Sequence, residues 1–201
     1  MKTTRVPAAA RARAGFTILE LVIGLVILGL LLANVGMVLR SSTAAFEAGA
    51  LSGALENQLE QTMDRIELAI MSSDGEDLAP SAPLSASIID YERCLGVEDG
   101  ELVLDDPERI ELVLGSGQVV WTQNPEAAGE RRVVWTRWVP EYLELELPNG
   151  ADDNDNGVID EGGLAFDLDG KQVSIRLTLE REDERSTRYA RTRESRVTCR
   201  N

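Results

Sequence analysis

The chain contains no histidine among its 201 residues. This absence excludes Ser-His-Asp and Cys-His nucleophile systems, histidine acid-base catalysis and zinc sites with histidine ligands. Paired acids such as Asp167 and Asp169 lie two residues apart on a predicted turn, so they share one small patch instead of flanking a cleft as glycosidase carboxylates do. The sequence therefore predicts a protein that is not an enzyme. A membrane-anchored hydrolase with a metal in an acidic loop is the remaining catalytic alternative.

Basic residues are few, with 20 Lys and Arg against 35 Asp and Glu and a formal net charge of −15. Four of the cations precede Gly15, so the rest of the chain is more acidic still. Such a charge repels phosphate backbones and favours cationic partners, including metal ions. Nucleic-acid binding is therefore not expected. The arginine-rich tail from Arg181 to Arg200 is predicted to be a solvated edge strand of alternating charge, with a DNA contact as the alternative.

Cysteine is almost absent, and the two that occur, Cys94 and Cys199, are too far apart for a CxxC motif. If the domain lies outside the cytoplasm, a disulfide between them is expected. Closing so long a loop would stabilise the fold by roughly 4–5 kcal/mol on the chain-entropy interpretation. The alternative is a pair of unbonded, buried thiols.

The amino-terminal part of the chain has the character of a membrane segment. Residues 1–15 are basic, free of acids and rich in alanine, as expected for a cytoplasmic flank. From Phe16 to Leu39 the chain is almost wholly apolar, and Glu20 is its sole charge. A helix of this length crosses about 30 Å of hydrocarbon. We therefore expect membrane insertion, with a leader at 1–15 and a transmembrane half of the helix at 16–39.

An amphipathic pattern follows the apolar run and predicts that the same helix continues over residues 40–72. Ser72-Ser73-Asp74-Gly75 and the prolines at 80 and 83 then end it. Apolar residues recur at helical spacing on the face that we expect to be buried. They are Leu51, Leu55, Leu59, Ile66 and Ile70.

Beyond Pro83 the apolar period drops toward two, which predicts the strands of an antiparallel sheet in a head at 73–201. Turn signals such as Gly115-Ser116-Gly117 and Asp169-Gly170 separate these segments. We expect the three tryptophans to belong to the core more than to an exposed ligand platform. The fold class predicted is α+β, a long helix followed by a sheet. The alternating segments are Val119 and Trp121; Val133 and Trp135; Leu143, Leu145 and Leu147; and Val173 to Leu179.

One segment links these features to a known family. The run Gly15-Phe16-Thr17-Ile18-Leu19-Glu20, between a basic leader and an apolar helix, resembles the class III signal of type IV pilins and type II secretion pseudopilins. The resemblance implies cleavage after Gly15, methylation of the new Phe16 amine, and a long helix packed on an antiparallel sheet. It also implies that Glu20 pairs with the Phe16 amine of a neighbouring subunit. An ordinary secretory signal or signal anchor is the alternative.

The resemblance also implies a function and a location. The chain would be a single-pass inner-membrane protein with a periplasmic head, assembled into a periplasmic or extracellular fibre. Its partners would be other pilin or pseudopilin subunits, the prepilin peptidase and an assembly platform. The absence of proline from Phe16 to Ser72 and the larger head favour a minor subunit, and the sheet-rich head with Arg200-Asn201 resembles the J-type minor pseudopilin. The alternative is an adhesin or DNA-uptake subunit of the same kind of fibre.

An acidic loop, residues 149–163, resembles an EF-hand-type calcium loop. Oxygen-bearing side chains alternate, and Gly157 follows them where such loops turn sharply. The twelfth place, which should hold a bidentate acid, is Gly163, so Glu161, Asp167 or Asp169 would have to complete the shell. We expect a structural Ca²⁺ site, and a solvated acidic hairpin loop is the alternative. The expected ligands are Asp152, Asn154, Asn156, the carbonyl of Val158 and Asp160.

Overall fold

One long helix is followed by ten strands. The computed structural model describes residues 17–76, 78–81, 84–153 and 158–199. The α+β class predicted from the sequence is confirmed. The elements in chain order are α1 (Ile18–Met71), β1 (Leu84–Ala86), β2 (Ile88–Tyr91), β3 (Cys94–Glu98), β4 (Glu101–Leu104), β5 (Glu108–Val113), β6 (Gln118–Gln123), β7 (Arg131–Thr136), β8 (Leu164–Asp169), β9 (Gln172–Glu182) and β10 (Arg188–Thr198).

Helix α1 is a single element of 54 residues, as the uninterrupted pattern predicts. The chain divides into two compact units, one ending at Phe46 and the other beginning at Glu47. In the second unit the buried stripe of α1 lies where the amphipathic spacing places it, because residues three and four apart share a helix face. Leu51 at its start is half-buried. The fully buried part consists of Leu55, Leu59, Thr62, Met63, Ile66 and Ile70.

The strands form two four-stranded antiparallel sheets and a separate hairpin. The first sheet has the order β1-β8-β9-β10, the second has the order β2-β5-β6-β7, and β3 pairs with β4 alone. Strand β10 lies at the edge of its sheet, as predicted for the arginine-rich tail. Hairpin connections through Gly115, which has a φ of 77°, and Gly170, with a φ of 61°, match the predicted turns.

The core of the second unit combines the buried stripe of α1 with inward-facing residues of both sheets, among them Ile89, Ile110, Phe166 and Ile175. The three tryptophans are partly buried and pack against this core, in keeping with the sequence prediction. Trp138 additionally carries the Arg181 guanidinium 4.5 Å from its ring centroid, a cation–π contact.

One predicted strand is wrong. Residues 143–147 form an irregular segment, because Leu145 has a positive φ of 76° and the Glu146 amide turns back to the Leu143 carbonyl. The expected burial is also inverted at two positions, since Leu145 is 78 % exposed whereas Glu146 is 5 % exposed. Alternating Leu and Glu therefore does not produce a strand here. The turn at Leu145 interrupts the extended backbone, so successive side chains no longer point to opposite faces of a sheet.

Candidate functional site

The start of helix α1 is closed by a capping box. The Glu20 carboxylate accepts hydrogen bonds from the backbone N–H of Thr17 at 2.9 Å and from its hydroxyl at 3.0 Å. In return, the Glu20 amide donates to the Thr17 hydroxyl oxygen at 3.2 Å. Thr-x-x-Glu is the spacing at which the two side chains satisfy each other's backbone donors. Glu20 therefore has hydrogen-bond partners within its own chain, whereas the resemblance implied a partner only on a neighbouring subunit.

Gly15 and Phe16, the predicted processing and methylation positions, lie outside the described residues. Downstream of them, the large apolar side chains of α1 from Ile18 to Leu39 are exposed. Among the described residues, α1 is the one helix long and apolar enough to cross a membrane. The polar Asn34 within this stretch donates its side-chain amide to the Leu30 carbonyl at 2.9 Å. An internal hydrogen bond of this kind lowers the cost of a polar group in hydrocarbon.

The acidic loop is only partly described, because Asn154 and Asn156 of the predicted ligand set lie outside the described residues. The Asp160 carboxylate accepts hydrogen bonds from the backbone amides of Asn149 and Gly150 at 3.1 Å. Asp153 likewise accepts from the Leu147 amide at 3.0 Å. These hydrogen bonds stabilise part of the negative charge that the loop concentrates. No cluster of three or more His, Cys, Asp or Glu side chains arranged to hold a metal occurs in the described parts of the chain.

Two further residues of the loop have structural duties. Glu161, considered above as a completing ligand, is buried and forms an ion pair with Arg176. At Gly163 an added Cβ would lie 2.2 Å from the Pro140 carbonyl oxygen. A side chain at the twelfth position would collide with this backbone, which is why an acid is missing there.

The predicted disulfide is not formed in the structure, where Cys94 and Cys199 are both unbonded. The thiol of Cys94 lies 3.7 Å from the Gly96 carbonyl oxygen, within its own strand. That of Cys199 is buried and lies 3.7 Å from the Ser73 hydroxyl. Each sulfur therefore has a different environment, and burial raises the pKa of the Cys199 thiol.

A buried polar cluster surrounds Glu108. Its carboxylate accepts hydrogen bonds from the Tyr91 hydroxyl at 2.5 Å and from Trp121 Nε1 at 2.8 Å. Its other oxygen lies 2.8 Å from Nε of Arg93, which also pairs with Asp105. Burial, together with the hydrogen bond to Glu108, raises the pKa of Tyr91 above its ordinary value. The cluster fixes the chain at the point where β2 gives way to the β3–β4 hairpin.

Sequence reasoning missed this cluster, although a signal for it exists. Glu108 lies two residues before Ile110 and four before Leu112 on β5, so the period of a strand puts it on their buried face. A charged residue in phase with a core stripe requires partners. The pattern could therefore have indicated a buried carboxylate, although not which groups satisfy it.

Comparison with known proteins identifies the amino-terminal segment. Residues 10–33 match the family model described as the prokaryotic N-terminal methylation motif. The match includes Gly15, Phe16, Glu20 and most of the apolar run. No curated protein and no solved structure matches the chain. The family match therefore concerns only the start of the chain. The description of the head rests on the structure alone.

Proposed function

Residues 10–33 carry the methylation motif of type IV pilin-like proteins and pseudopilins. We propose that this chain is a structural subunit of a type IV pilus or of a type II secretion pseudopilus. The motif at residues 10–33 carries the proposal. Proteins with this motif are processed by a prepilin peptidase and assemble with other pilin subunits. The exposed apolar half of α1 supports anchoring of the precursor in a membrane.

The proposed topology places the basic leader in the cytoplasm and the head, residues 73–201, in the periplasm. The positive-inside rule supports this orientation. The proline-free helix and the size of the head support a minor subunit, with the J-type pseudopilin as the specific candidate. After cleavage behind Gly15, the methylated Phe16 amine of a neighbour would pair with Glu20 in the fibre.

The first test is the amino-terminal mass of the protein purified from membranes of cells with and without a prepilin peptidase. We expect a peptidase-dependent start at methylated Phe16. An intact leader in both strains, or cleavage beyond Leu39, would refute the proposal and leave an ordinary anchored or secreted domain.

A second test separates the pairing of Glu20 between subunits from its role in the capping box. Thr17→Val removes the hydroxyl of the capping box but leaves the Glu20 carboxylate in place, whereas Glu20→Gln removes the charge. Loss of a cap costs about 1 kcal/mol, so Thr17→Val should still enter the fibre. Glu20→Gln should be processed but not assembled. If both variants assemble equally, Glu20 serves only the helix start. Glu47→Gln, at an exposed position later on α1, is the control.

We also propose Ca²⁺ as a structural ion of the acidic loop, on the strength of the ligand spacing from Asp152 to Asp160. Calorimetric titration of the full chain in detergent with Ca²⁺ would measure binding. Asp152→Asn with Asp160→Asn should abolish the heat, and Glu184→Gln, at an exposed position in the β9–β10 turn, should leave it unchanged. If titration of the parent chain with Ca²⁺ gives no heat of binding, the alternative of a solvated acidic loop is favoured.

A further inference from the structure

Strand β10 leaves one edge of its sheet without a partner strand in the described chain. It pairs with β9 in continuous register over all 11 of its residues, and its sequence contains no proline. Proteins often protect an edge by a bulge, a proline or a very short strand, because unpaired backbone groups attract other chains. Strand β10 has none of these three and carries charged side chains instead. The edge is therefore open to a further strand whose charge suits it.

The hydrogen bonds at the two ends of β10 identify which of its backbone groups face outward. The Cys199 amide donates to the Lys171 carbonyl at 3.0 Å, and the Asp183 amide donates to the Thr187 carbonyl at 3.0 Å. In an antiparallel ladder, bonded residues alternate with residues whose backbone groups point away from the partner strand. The odd-numbered residues of β10 therefore bond to β9, and the even-numbered residues face outward. The outward residues are Arg188, Ala190, Thr192, Glu194, Arg196 and Thr198.

These outward backbone groups are accessible. The Ala190 carbonyl accepts a hydrogen bond from Nη1 of the Arg191 side chain at 2.8 Å, as expected for a carbonyl that points away from β9. Ala190 is half-buried, and the other five outward residues are exposed. The edge thus offers N–H donors and C=O acceptors at the spacing that an added strand requires.

The charge of β10 is opposite to that of the whole chain. Four arginines and one glutamate give the strand a net charge of +3, whereas the chain carries −15. Arg188 and Arg193 have ion-pair partners within the head. Arg191 and Arg196 are exposed and have no ion-pair partner among the described residues. Two β10 edges would repel each other, so the edge favours an acidic segment over a second β10.

Arg191 and Arg196 lie on opposite faces of the sheet, because side chains alternate along a strand and these two are five positions apart. Arg191 is directly opposite Leu179, which is buried in the core, whereas Arg196 is directly opposite Ser174 on the other face. Nε of Arg196 donates to the Ser174 hydroxyl at 3.1 Å. An added strand would alternate in the same way. It would therefore reach both guanidinium groups only with acids five positions apart.

We propose that an extended acidic segment of a different fibre subunit adds to β10 as an antiparallel fifth strand of this sheet. Its backbone pairs with the outward groups of β10, and two acids five positions apart pair with Arg191 and Arg196. The backbone contacts provide affinity, whereas the positions of the acids select the partner and its register. A minor subunit is flanked by other proteins, so the partner is a different subunit. Only this identity of the partner rests on the proposed function.

The first experiment measures binding of a fluorescent peptide to the full chain in detergent by anisotropy. The probe is a threonine peptide of strand length with two glutamates five positions apart. We expect saturable binding, and about threefold weaker binding when the glutamates are four positions apart, because one of them then misses its arginine. Arg191→Glu combined with Arg196→Glu should weaken binding about tenfold. A peptide with lysines in place of the glutamates should bind this double variant. Arg185→Glu, at an exposed position in the β9–β10 turn, should bind the probe like the parent.

Methylation of alternate amide nitrogens in the peptide tests backbone pairing without altering the protein. Methyl groups on the amides that face β10 should abolish binding, whereas methyl groups on the amides of the other phase should leave it largely unchanged. Equal effects in the two phases would overturn strand addition. Binding that depends on neither the methylation phase nor the spacing of the acids would reveal only a general attraction of anions to arginine, and would also overturn the proposal.

Two matched variants at Glu194 test the contact in the fibre. Glu194→Pro removes an outward amide that β9 does not use, so it should block the added strand while the head stays folded. Glu194→Thr makes the same charge change and keeps the amide. Both variants should be cleaved after Gly15, but only Glu194→Thr should enter the fibre. Failure of the parent chain to be cleaved refutes the fibre function, whereas normal cleavage with equal entry of both variants refutes strand addition by a fibre subunit.

Discussion

Replacing Glu108 tests whether the buried cluster stabilises the head. In Glu108→Leu, the Tyr91 hydroxyl loses its acceptor, and an unsatisfied buried donor costs about 1–3 kcal/mol. Trp121 Nε1 keeps a second acceptor, the Tyr91 oxygen at 3.2 Å. The ion pair with Arg93 is also lost, but the Arg93 side chain is 41 % exposed, so its loss adds only about 1 kcal/mol. We expect a total of about 3 kcal/mol.

The assay is denaturant unfolding of the full chain in detergent, followed by tryptophan fluorescence, since Trp121 is part of the cluster. For a domain of this size the expected loss corresponds to a fall in Tm of about 6–12 °C. Glu108→Gln keeps an acceptor oxygen and should cost about 1 kcal/mol. The matched control is Glu111→Leu on the same strand, which loses only a partly exposed pair with Arg132. If Glu108→Leu unfolds within about 0.5 kcal/mol of the parent, the cluster does not stabilise the head.

Three further predictions concern the same head. Ile66→Ala should lower the free energy of unfolding by about 2–5 kcal/mol. Leu68→Ala, at an exposed helix position, should change it by less than about 0.5 kcal/mol. The denaturant midpoints of the two variants test this difference. Maleimide should label Cys94 before the buried Cys199 under native conditions, and labelling of neither until reduction would reveal a disulfide. Because the folded-state pKa of Tyr91 is raised, the unfolded chain releases its proton first, so stability should fall as pH rises above about 10. Tyr91→Phe should flatten that alkaline slope in unfolding measured across pH.

The long helix was predictable because its signals are local. An apolar run without interruption, followed by apolar residues at helical spacing, leaves few alternatives, and the buried stripe from Leu55 to Ile70 lies on the predicted face. Strands β6, β7 and β9 were found for the same reason, since each carries a clear two-residue period. The short strands β1 to β4 carry too few residues for a period to show.

Errors arose where a tertiary contact outweighs the local pattern. The segment 143–147 alternates perfectly in sequence, yet the positive φ of Leu145 turns the chain and buries Glu146. The loop's twelfth position is a glycine because the Pro140 carbonyl occupies the space of a side chain, which no local rule reveals. The helix start is a different case, because Thr17 and Glu20 stand at the Thr-x-x-Glu spacing of a capping box, a local signal that the sequence does contain.

The capping box at the start of α1 affects the stability of a single subunit in a membrane before any assembly into the proposed fibre. An unpaired carboxylate near the hydrocarbon is costly, so it would favour aggregation of a single precursor or displacement of the helix start toward water. Since the backbone amide and the hydroxyl of Thr17 already donate to the Glu20 carboxylate, this carboxylate needs no partner from a second chain while the subunit is alone in a membrane. In the proposed fibre, the Phe16 amine of a neighbour would have to displace the Thr17 donors from this carboxylate, so entry would begin with the opening of the capping box.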